Sequence, residues 1–257
     1  MTDNDVSHEG RREHEELVYQ VAEACRILGK LDLTHYAFGH VSYKVGEDRL
    51  LIKGKGPTEV GLRFTGPDDI IMIDHEARTI DGKEGLRAPS EAFLHIWLHR
   101  TNPDIRSVIH VHPPSAVLLT ICDVPIEPIY GAFGPGVQMA IDGVPVYPRS
   151  VRISDHTLGE EFASFMAGRT HTLMRGHGVT VAGDSIEDAM VRTLTLDELT
   201  TMCHQAHLLG GARRIPDEDV AVFSEPIAAD RPRGSAGGRS GILAAYRYYR
   251  MLAGEGG

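Results

Sequence analysis

Cysteine is scarce in this chain. Cys25, Cys122 and Cys203 are an odd number with no C-x-x-C pair. That argues against a disulfide framework and for a reducing compartment, and each is read as a core or helix residue. Basic charge is also in deficit. The 26 Lys and Arg stand against 36 Asp and Glu, a formal net charge of −10 with His neutral, which disfavours wrapping nucleic acid or lying on an anionic membrane. Long apolar runs are missing. The most apolar stretch near the middle, residues 116–122, falls far short of the ~20 residues a membrane helix needs. Residues 1–16 carry no apolar h-region, so no secretory signal is read there and a cytoplasmic location is expected. The KGKGP run at 53–57 lacks the spacing of a nucleotide loop, and no Ser stands in a G-x-S-x-G elbow. What the composition does supply is 42% hydrophobic and 24% charged residues over 257 positions, enough for a folded core in one domain or a domain and a half. Histidine is the one excess, with 14 copies.

Residues 13–30 put Leu17, Val18, Val21, Ala24, Cys25 and Leu28 at helical spacing, with Gly29 as the stop. Strands are expected at 41–45, 50–52, 70–73, 106–112, 126–130, 144–147, 170–174 and 179–181, from β-branched alternation bounded by turn residues. Helices are expected at 90–100, 115–121, 155–166 and 186–209, the last capped by Ser185. The order of elements implies an α/β fold with a central, mostly antiparallel sheet. After Gly210-Gly211 the chain turns polar and rich in Pro, Gly, Arg and Asp. Residues 1–211 are therefore expected to form the catalytic domain. Residues 212–257 are expected to be a C-terminal arm, extended over 212–240 and ending in an amphipathic helix at 241–252, that packs on a neighbouring subunit.

His110 and His112 lie two apart on an expected strand, so both imidazoles project from one face while Ile109 and Val111 face the core. Such a pair is either half of a divalent-metal site or two partly buried structural histidines. His177 sits between Gly176 and Gly178, where the backbone can bend sharply. It is either a turn residue or a third imidazole, and three imidazoles with one open position are a catalytic zinc arrangement. Glu91 opens the helix after Pro89-Ser90. Its carboxylate is explained by the helix dipole alone, at about 0.3–1 kcal/mol, or as a general acid/base beside a metal, in which case burial should raise it towards neutrality. His95 follows at i+4 as a neighbour of that site, and His99, four further on, is expected to face solvent. His204 and His207 share one face of the long helix, as an interfacial or solvated pair or a second metal site.

Pro89-Ser90-Glu91 with His95, Ile109-His110-Val111-His112-Pro113, Gly176-His177-Gly178, and Gly183 before the Ser185-capped helix together resemble the class II aldolase/adducin-head family, from about Leu17 to Leu209. The resemblance implies a three-layer α/β/α fold and a homotetramer with sites near subunit interfaces. It implies a divalent metal, most often Zn²⁺ with Mn²⁺ also acceptable, on positions matching His110, His112 and His177. It implies a catalytic carboxylate at the position of Glu91. An aromatic residue of an adjacent chain often joins the site, for which Tyr130 and Phe133 are candidates. Sugar-phosphate aldolases of the family bind phosphate with a Gly-Asn-Val-Ser-type turn and a Ser-Ser-Glu run. Here those read Gly39-His40-Val41-Ser42 and Pro89-Ser90-Glu91, which depletes the phosphate cup. The histidine, with the Leu51-Ile52-Lys53-Gly54 loop, is closer to the branch that decarboxylates hydroxylated aromatic or hydroxypyridine carboxylates.

The function implied is a metal-dependent carbon–carbon lyase acting on a small-molecule carboxylate, through an enolate that the metal stabilises, with Glu91 returning a proton to the vacated carbon. His40 is expected to orient substrate, shuttle a proton or brace its turn. Ser42, Ser90, Lys53 and Arg87 are the candidate substrate-binding residues. Lys53, Lys55 and Arg87 suit a second carboxylate, or are solvated surface charge. Two alternatives are an aldolase or dehydratase acting on an unphosphorylated hydroxy-keto substrate, and a non-catalytic adducin-like interaction domain. The latter lacks the metal set, which this chain keeps.

Overall fold

The computed structural model describes residues 3–131, 133–224 and 238–255. A long helix, α1 (Asp3–Lys30), precedes four strands, β1 (His40–Lys44), β2 (Arg49–Lys53), β3 (Ile70–Asp74) and β4 (Thr79–Asp81). Then come α2 (Ala92–Thr101), β5 (Ser107–Val111), α3 (Pro114–Ile121), α4 (Gly136–Asp142), β6 (Val146–Tyr147) and α5 (His156–Phe165). A hairpin, β7 (His171–Met174) and β8 (Gly178–Gly183), leads into α6 (Ile186–Leu208), α7 (Asp217–Ser224) and α8 (Gly238–Leu252). The strands form one sheet in the order β4-β3-β2-β1-β5-β8-β7-β6. All pairs are antiparallel except β6–β7.

Alternation along the strands splits the core into two layers. Val41, Ile109, Val111, Val179 and Val181 point to one face, under α1, α3 and α6. Val108 and Ala182 point to the other, beneath Leu94 and Leu98 of α2 and Phe162 of α5. Leu50, Ile52, Ile71 and Ile73 extend that second layer to Ala92 and Ile96 of α2. This is the three-layer architecture expected. The central strand β5 is buried at every position, so its one ionisable side chain, His110, is carried into the core by apolar neighbours.

Several local expectations differ from the structure. Residues 126–130 are not a strand, because Pro125 and Pro128 remove ladder donors there. The glycine-rich loop beyond Tyr130 gives way to α4, and 217–224 of the expected extended arm is helical; residues 225–237 of that arm lie outside the described residues. The tail is not a separate layer. Tyr246 and Ala253 belong to the main core, and α8 lies on its own chain. There Arg250 reaches Glu23 at 2.7 Å, Tyr246 donates to Glu23 at 3.0 Å, and Arg26 and Lys30 converge on Glu255. Tyr246 and Ala253 of the arm thus pack on the core built by residues before 211.

Gly29 also has a different role. Helix α1 continues past it to Lys30, and what the glycine provides is close approach: a Cβ there would lie 2.2 Å from the backbone nitrogen of Arg63. Gly29→Ala is expected to cost about 1–3 kcal/mol through this overlap. In a chain of this size, that lowers the melting temperature by roughly 2–10 °C. An unchanged thermal melt followed by circular dichroism would remove the constraint.

Candidate metal centre and active site

Register places the candidate ligands. Strand β5 pairs with β8 so that His110 stands opposite Thr180 and Val111 opposite Val179. One step further, His112 meets Gly178, where a Cβ would lie 2.4 Å from the Val111 carbonyl oxygen and 2.6 Å from the His112 ring. Only a residue without a side chain lets the β7–β8 turn sit against His112. That turn delivers His177, whose N–H donates to the Met174 carbonyl at 3.0 Å. The rings of His110, His112 and His177 then lie 4.8, 4.9 and 5.1 Å apart, centroid to centroid.

The fourth member comes from across the layer. Glu91 is the N-cap residue of α2 and is 6% exposed. Its Oε2 lies 3.6 Å from Nε2 of His110 and 3.5 Å from Nε2 of His177, and its Oε1 accepts the Ile153 N–H at 3.3 Å. Ligand atoms of Glu91, His110, His112 and His177 all fall within 4.8 Å of one another. The tautomer of His110 follows from its neighbours. Thr180 donates its hydroxyl proton to Met174 Sδ at 3.3 Å, so its oxygen accepts from His110 Nδ1–H at 3.2 Å. The lone pair on His110 Nε2 therefore points into the site, 3.0 Å from His112 Nε2. Two such nitrogens facing each other call for a proton or a cation between them. The set fits a divalent ion, since Zn–N bonds of roughly 2.0–2.1 Å converge from nitrogens spaced in this way.

Electrostatics corrects one expectation. Burial alone would raise the Glu91 carboxyl, but the close imidazoles of His110 and then His177 hold it well below the ordinary carboxylate range. Glu91 is therefore a carboxylate at rest rather than a near-neutral acid. His112 is pushed down to about 2, by burial and then by His110 and His177, which keeps its ring neutral. His40 is pushed down to about 3 by burial and by His110. Its ring stacks on His110 at 5.8 Å, and its buried Nδ1 has no hydrogen-bond partner among the described residues.

A cavity of about 510 Å³ opens over this cluster, lined among others by Phe38, His40, Lys53, Lys55, Ser90, Glu91, Arg152 and His177. His40, Lys53 and Ser90 thus lie on its wall. Ser42 and Arg87 do not. Arg87 is exposed and bridges to Lys55 through the backbone. Ser42 is fully buried, and its hydroxyl lies 2.8 Å from His95 Nδ1 and 2.9 Å from His99 Nε2. His99 is 2% exposed rather than solvent-facing, because the Glu91–His95–His99 row of α2 lies on the sheet. Burial lowers its pKa to about 3, so it is neutral, with Nδ1–H donating to the Ile105 carbonyl at 3.3 Å. Ser42 then donates to His99 Nε2 and accepts from His95 Nδ1–H. Its role is to satisfy two buried imidazoles.

Other candidates fall away from the cavity. Tyr130 packs against Phe133 at 5.4 Å, and neither lines the cavity of its own chain; the place the resemblance gives them is the site of an adjacent subunit. His204 meets Ser115 and His207 its own helix backbone, and no second metal-type cluster occurs among the described residues. Cys25 and Cys203 are core residues, whereas Cys122 is exposed just beyond α3. Sequence reasoning missed Phe38, which meets the His112 ring edge-on at 5.8 Å, and Arg152. Both lie on irregular segments, where no periodicity reports direction. For Phe38 its place beside the Gly39-His40 turn was the available signal.

Residues 19–204 match the class II aldolase and adducin N-terminal domain. The chain belongs to that family, and it is an enzyme of the lyase kind acting on a small molecule. Among characterised relatives, it is 39% identical over 225 residues to a 3,4-dihydroxyphthalate decarboxylase of Arthrobacter keyseri, covering 86% of this chain and 88% of that one. It is 38% identical over 209 residues to the enzyme of the same name from Terrabacter sp. (strain DBF63), covering 80% and 87%. An aldolase II superfamily structure from Pseudomonas syringae superposes with a TM-score of 0.78 at 17% identity, covering 95% of this chain and 94% of the other, and shares the fold. No described helix is long and apolar enough to cross a membrane.

Two outcomes follow. His177→Ala is expected to lower divalent-metal affinity by at least about tenfold, read as metal content after dialysis; full retention would take His177 out of the ligand set. Ser42→Ala is expected to destabilise the fold by about 1–3 kcal/mol by stranding buried imidazole nitrogens, with metal content unchanged. A loss of metal without a loss of stability would contradict its placement.

Proposed function

We propose that the protein decarboxylates a hydroxylated aromatic dicarboxylate of the 3,4-dihydroxyphthalate type, with Glu91 as the proton-transferring group. The observation that carries this reading is the Glu91/His110/His112/His177 cluster at the floor of a cationic cavity, in a chain whose relatives bear that activity in their names. We assign Zn²⁺ as the resident ion, held by the three imidazoles, with Mn²⁺ also suited to the donor set. When bound, the cation supplies a Lewis acid for negative charge developing on an oxygen next to the reacting carbon. Glu91 Oε2 is the group positioned to take the phenolic proton and hand it to the ring carbon that bears the departing carboxylate. CO₂ then leaves with cleavage of the carbon–carbon bond, its electron pair restoring the aromatic ring. A proton from water regenerates the phenol, so each turnover consumes one proton. His40, buried and neutral beside His110, orients substrate from the wall, to which Ser90 and the Lys53–Glu59 pair, at 3.4 Å, also contribute.

A homotetramer with sites near subunit boundaries is part of this proposal. The exposed apolar side chains of Phe133, Leu208 and Leu209, at 64, 75 and 89% exposure, support contact with another subunit. The cytoplasmic assignment rests on the unpaired cysteines and the composition.

Metal-loaded protein incubated with 3,4-dihydroxyphthalate is expected to release CO₂ stoichiometrically with ring product. Release of an aldehyde from hydroxy-ketones, with no CO₂ from the dicarboxylate, would favour the aldolase instead. Glu91→Gln is expected to lose about 10²-fold or more in kcat while keeping its metal; undiminished turnover in that variant would remove Glu91 from the chemistry.

A further inference from the structure

We propose that Arg152 grips the carboxylate that the reaction leaves on the ring, and so sets a preference for dicarboxylates over monocarboxylates. The inference rests on the decarboxylase reading above. A ring with two adjacent carboxylates loses one and keeps the other beside the reacting carbon, so a cation is needed on the wall that carries the proton-transferring group.

Three cations line the cavity: Lys53, Lys55 and Arg152. One lysine is neutralised by an acid and the other is held by a hydroxyl alone. Lys53 is 1% exposed and is committed to Glu59 and the Ala37 carbonyl, each at 3.4 Å. Lys55 donates to Ser90 Oγ at 3.4 Å. Arg152 forms no ion pair or hydrogen bond through its side chain with any described residue, although the chain carries ten more acids than bases. Arg149 and Arg175 are, by contrast, paired with Glu161 and Asp123. An arginine left without an acid at a cavity wall is available to an anionic ligand.

Its position is fixed despite its exposure. The next residue, Ile153, is fully buried in the layer under α2 and α5, and Val151 packs against the same cluster. The Ile153 N–H donates to Glu91 Oε1 at 3.3 Å. The backbone at 152 is thus anchored on both sides and joined through one residue to the carboxylate that moves the proton. A planar guanidinium offers a carboxylate two parallel donors, which an ammonium does not. Because that carboxylate is unchanged by the reaction, Arg152 binds ground state and transition state alike. Its loss should appear in KM more than in kcat.

The test uses the metal-loaded protein with 3,4-dihydroxybenzoate and catechol, which share the two hydroxyls and differ by one carboxylate, in isothermal titration calorimetry. Wild type is expected to bind the carboxylated ligand roughly tenfold or more tightly, as one charge-assisted bidentate contact allows. Arg152→Gln is expected to erase that preference with catechol binding unchanged, and Arg152→Lys to restore part of it. In turnover, Arg152→Gln is expected to raise KM for the dicarboxylate by a similar factor with kcat within a few-fold. A preference surviving in Arg152→Gln, or absent in wild type, overturns the assignment. Failure of wild type to release CO₂ from any dicarboxylate instead sinks the decarboxylase reading, whereas the paired ligands still report on Arg152.

Discussion

The pairing of β5 with β8 is the constraint on which the site depends. An antiparallel ladder fixes not only which residues face each other but also which face of the sheet each side chain leaves from. With His110 opposite Thr180, the next step brings His112 against Gly178 and the turn residue His177 alongside. A slip of one residue would send His110 into the layer beneath α1 and exchange it for Ile109 or Val111. Burial of Val108, Ile109 and Val111 at under 1% exposure opposes such a slip with several kcal/mol of apolar transfer. The geometry of the cation site is thereby held by the hydrophobic core.

The layer above the sheet supplies the counterpart. Helix α2 begins at Glu91 and runs His95 and His99 along the same row, placing one carboxylate and two neutral imidazoles over β1 and β5. This row is polar yet nearly closed to water, and Ser42 with the Ile105 carbonyl completes most of its hydrogen bonds. A buried polar row of this kind is stable only while its members stay uncharged and partnered. That explains why a serine at the position of a family substrate-binding residue is turned inward here.

Much of the centre was legible because its signals are local. An H-x-H on a β-branched run, a histidine between glycines and a glutamate after Pro-Ser each carry their geometry in a few residues. The resemblance tied them together, and the three-layer sheet followed from element order. What was not legible depends on direction across layers. Spacing along α2 shows that His99 shares a face with Glu91 and His95, but not that this is the face the sheet takes. Ser42 shares a strand face with His40, and only the helix above shows that one meets the cavity and the other a histidine pair. Arg152 and Phe38 sit on irregular chain, and the sign of the Glu91 shift arises from imidazoles far away in sequence.

The same contrast bears on how such a protein diversifies. Gly178 leaves no room for a methyl group against Val111 and His112, so drift near the cation cage is blocked by sterics before chemistry is tried. Phe38, Lys55 and Arg152 line the cavity from outside the helices and strands. A change of substrate can therefore be accommodated by exchanging these side chains, one at a time, while the cluster and its carboxylate are inherited intact.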